Sequence, residues 1–217
     1  MNTRLNTFFT ACLDILLGAN REEVRLRQVT AEDLVRRFHP QNHDSIQTVS
    51  IFSYRDPLIR ILIHSLKYHG RKASADLFAP HLYDMLVEML SDEYLFGASD
   101  MPLLVPIPLF EKRLQERGYN QSTMLAQALS MQSAFPLSLD ESLLVRIRDT
   151  GSQTAFSRAK RLKNTHGAFH AKYPDLVRGK TVILIDDVLT TGATIDEARK
   201  TLLEAGARDV YGIVVAH

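Results

Sequence analysis

Two patterns of apolar residues divide this chain. Up to about residue 100 it reads mainly as helices; from Pro102 onward short continuous apolar runs alternate with helical stretches. Residues 5–17 predict an amphipathic helix, because Asp14 and scattered polar residues interrupt what would otherwise be the apolar core of a signal peptide. A strongly charged segment, 21–27, follows, and Thr30, Glu32 and Asp33 give a cap-like start before Leu34 and Val35. Residues 39–43 read as a loop, and the β-branched and aromatic stretch 48–54 as a short strand. Asp56 and Pro57 then open a helix with apolar residues on more than one face, hence a buried one, which ends near Gly70. A second helical stretch, 76–90, is interrupted or restarted at Pro80.

Strands are predicted at 103–107, 143–147, 182–185 and 210–216, with a helix over 120–131 and another after residue 194. Continuous apolar strands separated by helices imply an α/β fold, a central parallel sheet covered on both faces.

Composition narrows the picture. The 217 residues are 45% hydrophobic and 24% charged, which is ordinary globular composition. Repeats and low-complexity segments are absent, so the chain reads as successive elements of one body. Twenty-six basic side chains against 25 acidic ones give a net charge of +1, without the basic excess of a protein that lives on nucleic-acid phosphates. Cys12 alone can form no internal disulfide and no multi-cysteine zinc site, which points to the cytoplasm. No stretch approaches the roughly 20 apolar residues that span a bilayer, so a membrane protein is not expected.

The strongest chemical signal runs from Lys180 to Thr194: a buried strand, two adjacent carboxylates (Asp186, Asp187), the loop Thr190-Thr191-Gly192-Ala193-Thr194, and a helix that Gly206 stops. Thr194 and Glu197 have capping-box spacing. In an open parallel sheet such a loop lies beyond the carboxyl ends of the strands, where ligands bind. The residue types suit a phosphorylated sugar. Gly192 lets the backbone approach an anion, the helix N-terminus attracts phosphate, and the carboxylates accept from ribose hydroxyls or bind magnesium. The alternative is that Asp-Asp merely ends a strand and the Thr/Gly run is a surface turn.

Residues 183–194 resemble the loop by which type I phosphoribosyltransferases bind 5-phosphoribosyl 1-diphosphate (PRPP). Further matches are similar to the ComF/GntX family: Leu66-Lys67-Tyr68-His69-Gly70, Val105-Pro106-Ile107-Pro108, Lys112-Arg113-Leu114-Gln115-Glu116-Arg117-Gly118-Tyr119-Asn120-Gln121, and Ser157-Arg158-Ala159-Lys160-Arg161. The resemblance implies a phosphoribosyltransferase-like domain over 48–217 and a helical N-terminal extension, 1–47, in the place where many relatives carry a four-cysteine zinc module. It implies PRPP binding through Asp186, Asp187, Thr190, Thr191, Gly192, Ala193 and Thr194, with Mg2+ organised by Asp186, Asp187 and bound diphosphate. Arg113 and Arg117 would join the two aspartates in catalysis by stabilising the departing diphosphate, and Lys67 is a further candidate. Residues 146–161 would form a mobile lid through Thr150, Gln153, Arg158 and Arg161. The reaction implied is transfer of phosphoribosyl to a nitrogenous acceptor that residues 21–43 do not identify.

Other readings stay open. Arg113 and Arg117 could flank a solvated helix with Glu116 as partner, and residues 67–70 could be a basic helix end with a glycine stop. His166 and His170 lack further ligands at metal spacing, and His64 reads as a core residue. The fold could also serve a non-catalytic PRPP sensor, or an adaptor for DNA-uptake machinery or single-stranded DNA. For the DNA reading the sequence offers only the short basic run Arg158, Lys160, Arg161 and Lys163, with Phe156 to stack.

Overall fold

A computed structural model describes residues 29–95, 101–132, 137–149 and 165–217. The predicted helix over 5–17, Cys12 and the lid residues Thr150, Gln153, Arg158 and Arg161 lie outside them. The chain divides into two compact units, Met1–Arg36 and Arg37–His217. In the first, helix α1 (Ala31–Val35) starts as expected: Thr30 N–H donates to the Asp33 carboxylate at 2.9 Å, half of a capping box.

The second unit is built on a six-stranded sheet. Its strands are β1 (Gln41–His43), β2 (Thr48–Phe52), β3 (Leu103–Pro106), β4 (Ser138–Leu139), β7 (Thr181–Val188) and β8 (Asp209–Ala216), in the order β1-β2-β8-β7-β3-β4. All neighbours are parallel except β1, which pairs antiparallel with β2. Residues 39–43 are therefore not simply a loop: Gln41, Asn42 and His43 pair with Ser50, Val49 and Thr48.

Parallel strands need crossovers, and helices supply them. Helix α2 (Pro57–His69) and α3 (Lys72–Leu95) lead from β2 to β3, α4 (Glu111–Arg117) and α5 (Gln121–Gln132) from β3 to β4, and α7 (Ala193–Glu204) from β7 to β8. Helix α2 forms as its sequence dictates. The Asp56 carboxylate accepts from Leu58 N–H at 2.8 Å and Ile59 N–H at 3.3 Å, and Gly70 closes the helix in the left-handed region. Pro80 does not break α3. Burial of Phe78, Ala79 and Leu82 around it holds the helix through a residue that costs about 3 kcal/mol in a helix interior.

The apolar run 143–147 is not a strand of the main sheet, as the sequence suggests. Strand β5 (Leu144–Arg146) pairs antiparallel with β6 (Phe169–Ala171) in a separate ribbon that leads through a short helix, α6 (Pro174–Val177), to β7. Leu103, Val105, Val182, Leu184, Val210 and Val214 share one face of the sheet and form a core with Ile195, Ala198 and Leu202 of α7 and with Leu144 and Phe169 of the ribbon. Alternate residues, among them Leu104, Ile183, Ile185 and Ile213, are buried on the other face. There α3 and α5 pack on each other and on the strands. Among the described residues no helix is long and apolar enough to cross a membrane.

Candidate functional site

The sheet creates a place for a ligand. From β3 the chain crosses to β4, and from β7 it crosses the other way to β8, so a crevice opens where β3 and β7 lie side by side. A cleft of about 1050 Å3 occupies that end of the sheet. Its lining includes residues that follow four parallel strands: Tyr54 after β2, Ile107 to Leu109 after β3, Leu189, Thr190 and Gly192 after β7, and His217 after β8.

At its base are the two predicted carboxylates. Asp186 is 9% exposed and Asp187 3%, both at the end of an otherwise apolar strand. Asp186 Oδ1 accepts from Ser122 Oγ at 2.8 Å and from Asp187 N–H at 2.9 Å. Gln121 Nε2 donates to Asp187 Oδ1 at 3.5 Å, while Asp187 Oδ2 is buried and receives no hydrogen bond of good geometry. Lys67 Nζ lies 2.6 Å from that Oδ2, a charge contact. Burial, and then the neighbouring Asp187 charge, push the Asp186 carboxyl up to about 7, against the opposing pull of Lys67 and of the hydrogen bonds it accepts. For Lys67 burial lowers the pKa, but Asp187, helped by Asp186 and Tyr54, outweighs it and the net direction is upward.

Past the carboxylates the chain turns through Thr190 to Gly192. Gly192 has φ +80°, a conformation that favours glycine, and a Cβ there would stand 2.8 Å from Ile46 Cδ1, the movable end of a side chain. It is also the residue that precedes α7, which corrects the expected capping box: Thr194 lies inside the helix, and Glu197 instead accepts from Gly167 N–H beside His166. Asp186, Asp187, Thr190, Gly192 and Thr194 line the cleft, whereas Thr191 and Ala193 shape the loop without forming its wall.

The remaining wall is mainly basic, with Glu116 among its lining residues. Arg113 and Arg117 of α4 both line the cleft. Arg117 does not use Glu116 as a partner; it donates to Gln121 Oε1 and stands over the Tyr68 ring at 5.6 Å. Lys67 is part of this wall rather than only a helix end. Arg146, from β5, joins them, its positive charge disfavoured first by burial and then by Arg113, with Asp186 and Asp149 opposing. Tyr54 and Ser122 are site residues that sequence reasoning did not assign, Tyr68 and Gln121 stood out only inside family motifs, and Arg146, expected at the start of the lid, belongs instead to strand β5. Gln121 and Ser122 could have been found from their place directly after Arg-Gly-Tyr-Asn at a helix start. His64 is exposed on α2 with its ring 4.5 Å from that of Tyr68. The core histidine is His81, packed beside Phe38 and Phe52.

The donors fit magnesium of a particular kind. Two adjacent carboxylates offer hard oxygens, one of them without a good hydrogen bond, yet among the described residues no group of three His, Cys, Asp or Glu could hold a metal by itself. Such a pair suits a cation that keeps waters or takes its other ligands from a substrate's phosphates.

Comparison with known proteins agrees with the architecture. Residues 120–217 match the phosphoribosyl transferase domain family. The chain is 34% identical over 162 residues to the DNA utilization protein YhgH of Escherichia coli K12, covering 75% of this chain and 68% of YhgH. It is 30% identical over 160 residues to the competence protein ComFC of Bacillus subtilis, covering 74% of this chain and 59% of ComFC. A solved structure of glutamine phosphoribosylpyrophosphate amidotransferase from B. subtilis is 21% identical with a TM-score of 0.38, over 70% of this chain and 30% of that enzyme, too distant to bear on the fold. On the sequence relatives and the family match, the chain belongs to the ComF family of type I phosphoribosyltransferase-like proteins.

Proposed function

We propose that this protein binds PRPP and transfers its phosphoribosyl group to a nitrogenous acceptor with release of diphosphate. The observation that carries the reading is the meeting, at the carboxyl ends of the parallel strands, of a buried Asp186–Asp187 pair, a Thr/Gly loop at a helix N-terminus and a wall of basic side chains. The loop from Thr190 to Thr194 would take the 5′-phosphate through main-chain N–H groups and hydroxyls, with the start of α7 adding its positive end. Asp186 and Asp187 would accept from the ribose hydroxyls and thereby orient C1. Magnesium, when bound, would neutralise diphosphate charge. In the transfer a nitrogen–C1 bond forms, the C1–O bond to diphosphate breaks, its electron pair leaves with diphosphate, and the acceptor nitrogen gives up a proton. Negative charge grows on the leaving group, so Arg113, Arg117 and Arg146, which line the cleft, would supply the main stabilisation. The expected lid, through Thr150, Gln153, Arg158 and Arg161, would exclude water from the activated ribose. This reading makes the protein cytoplasmic, in keeping with its lone cysteine.

Isothermal titration of the full chain with PRPP and Mg2+ tests it. Saturable binding is expected, and Asp186→Asn together with Asp187→Asn should abolish it while far-UV circular dichroism stays unchanged. No heat at millimolar PRPP would overturn the proposal. A panel of nucleobases and amines, scored for PRPP-dependent diphosphate release, then identifies the acceptor.

The second reading is a non-catalytic PRPP-sensing or DNA-use adaptor, favoured by the names of the relatives, a DNA utilization protein and a competence protein. PRPP binding without diphosphate release from any acceptor, together with a salt-dependent shift of labelled single-stranded DNA, would favour it.

A further inference from the structure

Lys67 reaches the carboxylates from outside the strand-and-loop framework, and its reach is set by contacts unrelated to the ligand loop. Its helix begins at the Asp56 cap and ends at Gly70. At that end Tyr119 Oη donates to the Lys67 carbonyl at 3.1 Å, and the Tyr119 ring fills the space a Cβ on Gly70 would need, with Cε1 at 2.8 Å. Arg117 stands over the next residue, Tyr68. The segments 67–70 and 117–121, which stand out in the sequence as two separate motifs, are thus one clamp. What the clamp presents is an ammonium 2.6 Å from Asp187 Oδ2, an oxygen that otherwise has no good hydrogen bond. Magnesium binds oxygen at about 2.0–2.1 Å. An ammonium and a divalent cation on one carboxylate oxygen compete for it, because the two positive charges would stand within about 4 Å of each other in a partly buried site and repel strongly.

We propose that Lys67 is the resting counter-ion of Asp187, a built-in cation that a divalent metal must displace, so that metal alone is kept out until substrate phosphates bring it. This rests on the reading of Asp186 and Asp187 as the metal-organising pair. Displacement frees the Lys67 ammonium to pair with the arriving phosphate oxygens.

The probe is Mn2+ alone, titrated into the 217-residue chain and followed by the paramagnetic resonance signal of the free ion. Lys67→Met should bind Mn2+ about tenfold more tightly than the unmodified chain or more, because the competing cation is gone. Lys67→Arg, which keeps the charge, should stay near the unmodified chain, and adding Asp187→Asn to Lys67→Met should remove the gain. Lys67→Gln serves as the neutral variant if methionine disturbs the fold. Unchanged or weaker Mn2+ binding in the neutral variant, or no binding by any of these proteins, overturns the proposal. PRPP titration of the unmodified chain separates the two ideas. PRPP binding with an unmoved Mn2+ affinity sinks the role of Lys67 alone; a tenfold gain without PRPP binding keeps the counter-ion and sinks the phosphoribosyl reading.

Discussion

The β7 wall of the cleft and the helical wall meet at Asp187, and they are built by different means. From Asp186 to Thr194 the first is a contiguous stretch, acidic at the base and shaped by main chain: a strand end, one left-handed glycine and a helix start. The second draws Lys67 and Tyr68 from α2, Arg113 and Arg117 from α4 and Arg146 from the ribbon, and it is mainly basic. Side-chain contacts hold it together: Tyr119 on Gly70, Arg117 on Tyr68 and Gln121. The contiguous wall carries an electrostatic cost of its own in two buried adjacent charges, and the assembled wall relieves part of it.

That contrast can be broken most sharply at Asp186. With its carboxyl raised from 3.8 to about 7, the folded protein keeps a proton that the unfolded chain has already released between those values. Stability therefore falls as pH rises from about 4 to about 7 and stays low above. Asp186→Asn should remove that decline, stabilising the protein on the order of a few kcal/mol at pH 8 and hardly at all at pH 4, as read from urea midpoints. An equal shift at both values would mean that Asp186 carries no such penalty.

A smaller effect compares the two glycines that back the walls. Gly70→Ala and Gly192→Ala both force alanine into the left-handed region, at φ +59° and +80°. The neighbour of Gly192 is the free end of Ile46, which can move, whereas the neighbour of Gly70 is the hydrogen-bonded Tyr119 ring. Thermal denaturation should show Gly70→Ala as the more damaging by roughly 1 kcal/mol, on top of a shared backbone cost of about 1–2 kcal/mol. The reverse order would show that the clamp yields more easily than the loop. Smallest is Asp56→Ala at the far end of α2, expected to cost about 1 kcal/mol through loss of the helix cap. If PRPP affinity falls with it while that of a β7-loop variant of equal stability does not, the helical wall depends on the whole length of α2.

The contiguous wall is the part that could be read in advance, because an apolar run, two acids, a Thr/Gly loop and a helix stopped by Gly206 are local signals. The same holds for α2, whose ends are marked by Asp56-Pro57 and Gly70. Non-local features were not legible. Strand β1 is built of Gln41, Asn42 and His43, polar residues on a sheet edge that owe their conformation to main-chain pairing with β2. Strand β5 looks like a core strand because Leu144 is fully buried, but its partner Phe169–Ala171 lies more than twenty residues on, and pairing there takes it out of the main sheet. Glu197 has capping spacing from Thr194 and spends its carboxylate on Gly167 and His166 instead. Among the basic residues, Arg113 and Arg117 stood out through family resemblance alone, since charge on a helix surface is otherwise uninformative.

The rims of the main sheet carry one more consequence. Among the described residues its outermost strands are β1, three residues long, polar and antiparallel, and β4, of two residues, while the long apolar strands β7 and β8 lie inside. An unpaired parallel strand of that length would be a template for edge-to-edge aggregation, and short, polar or reversed rim strands leave an intruding chain little ladder to extend. Residues 41–43 cover the outer edge of β2, and loss of their pairing would bare that edge and is expected to be felt first as insolubility at high protein concentration, with the cleft still intact.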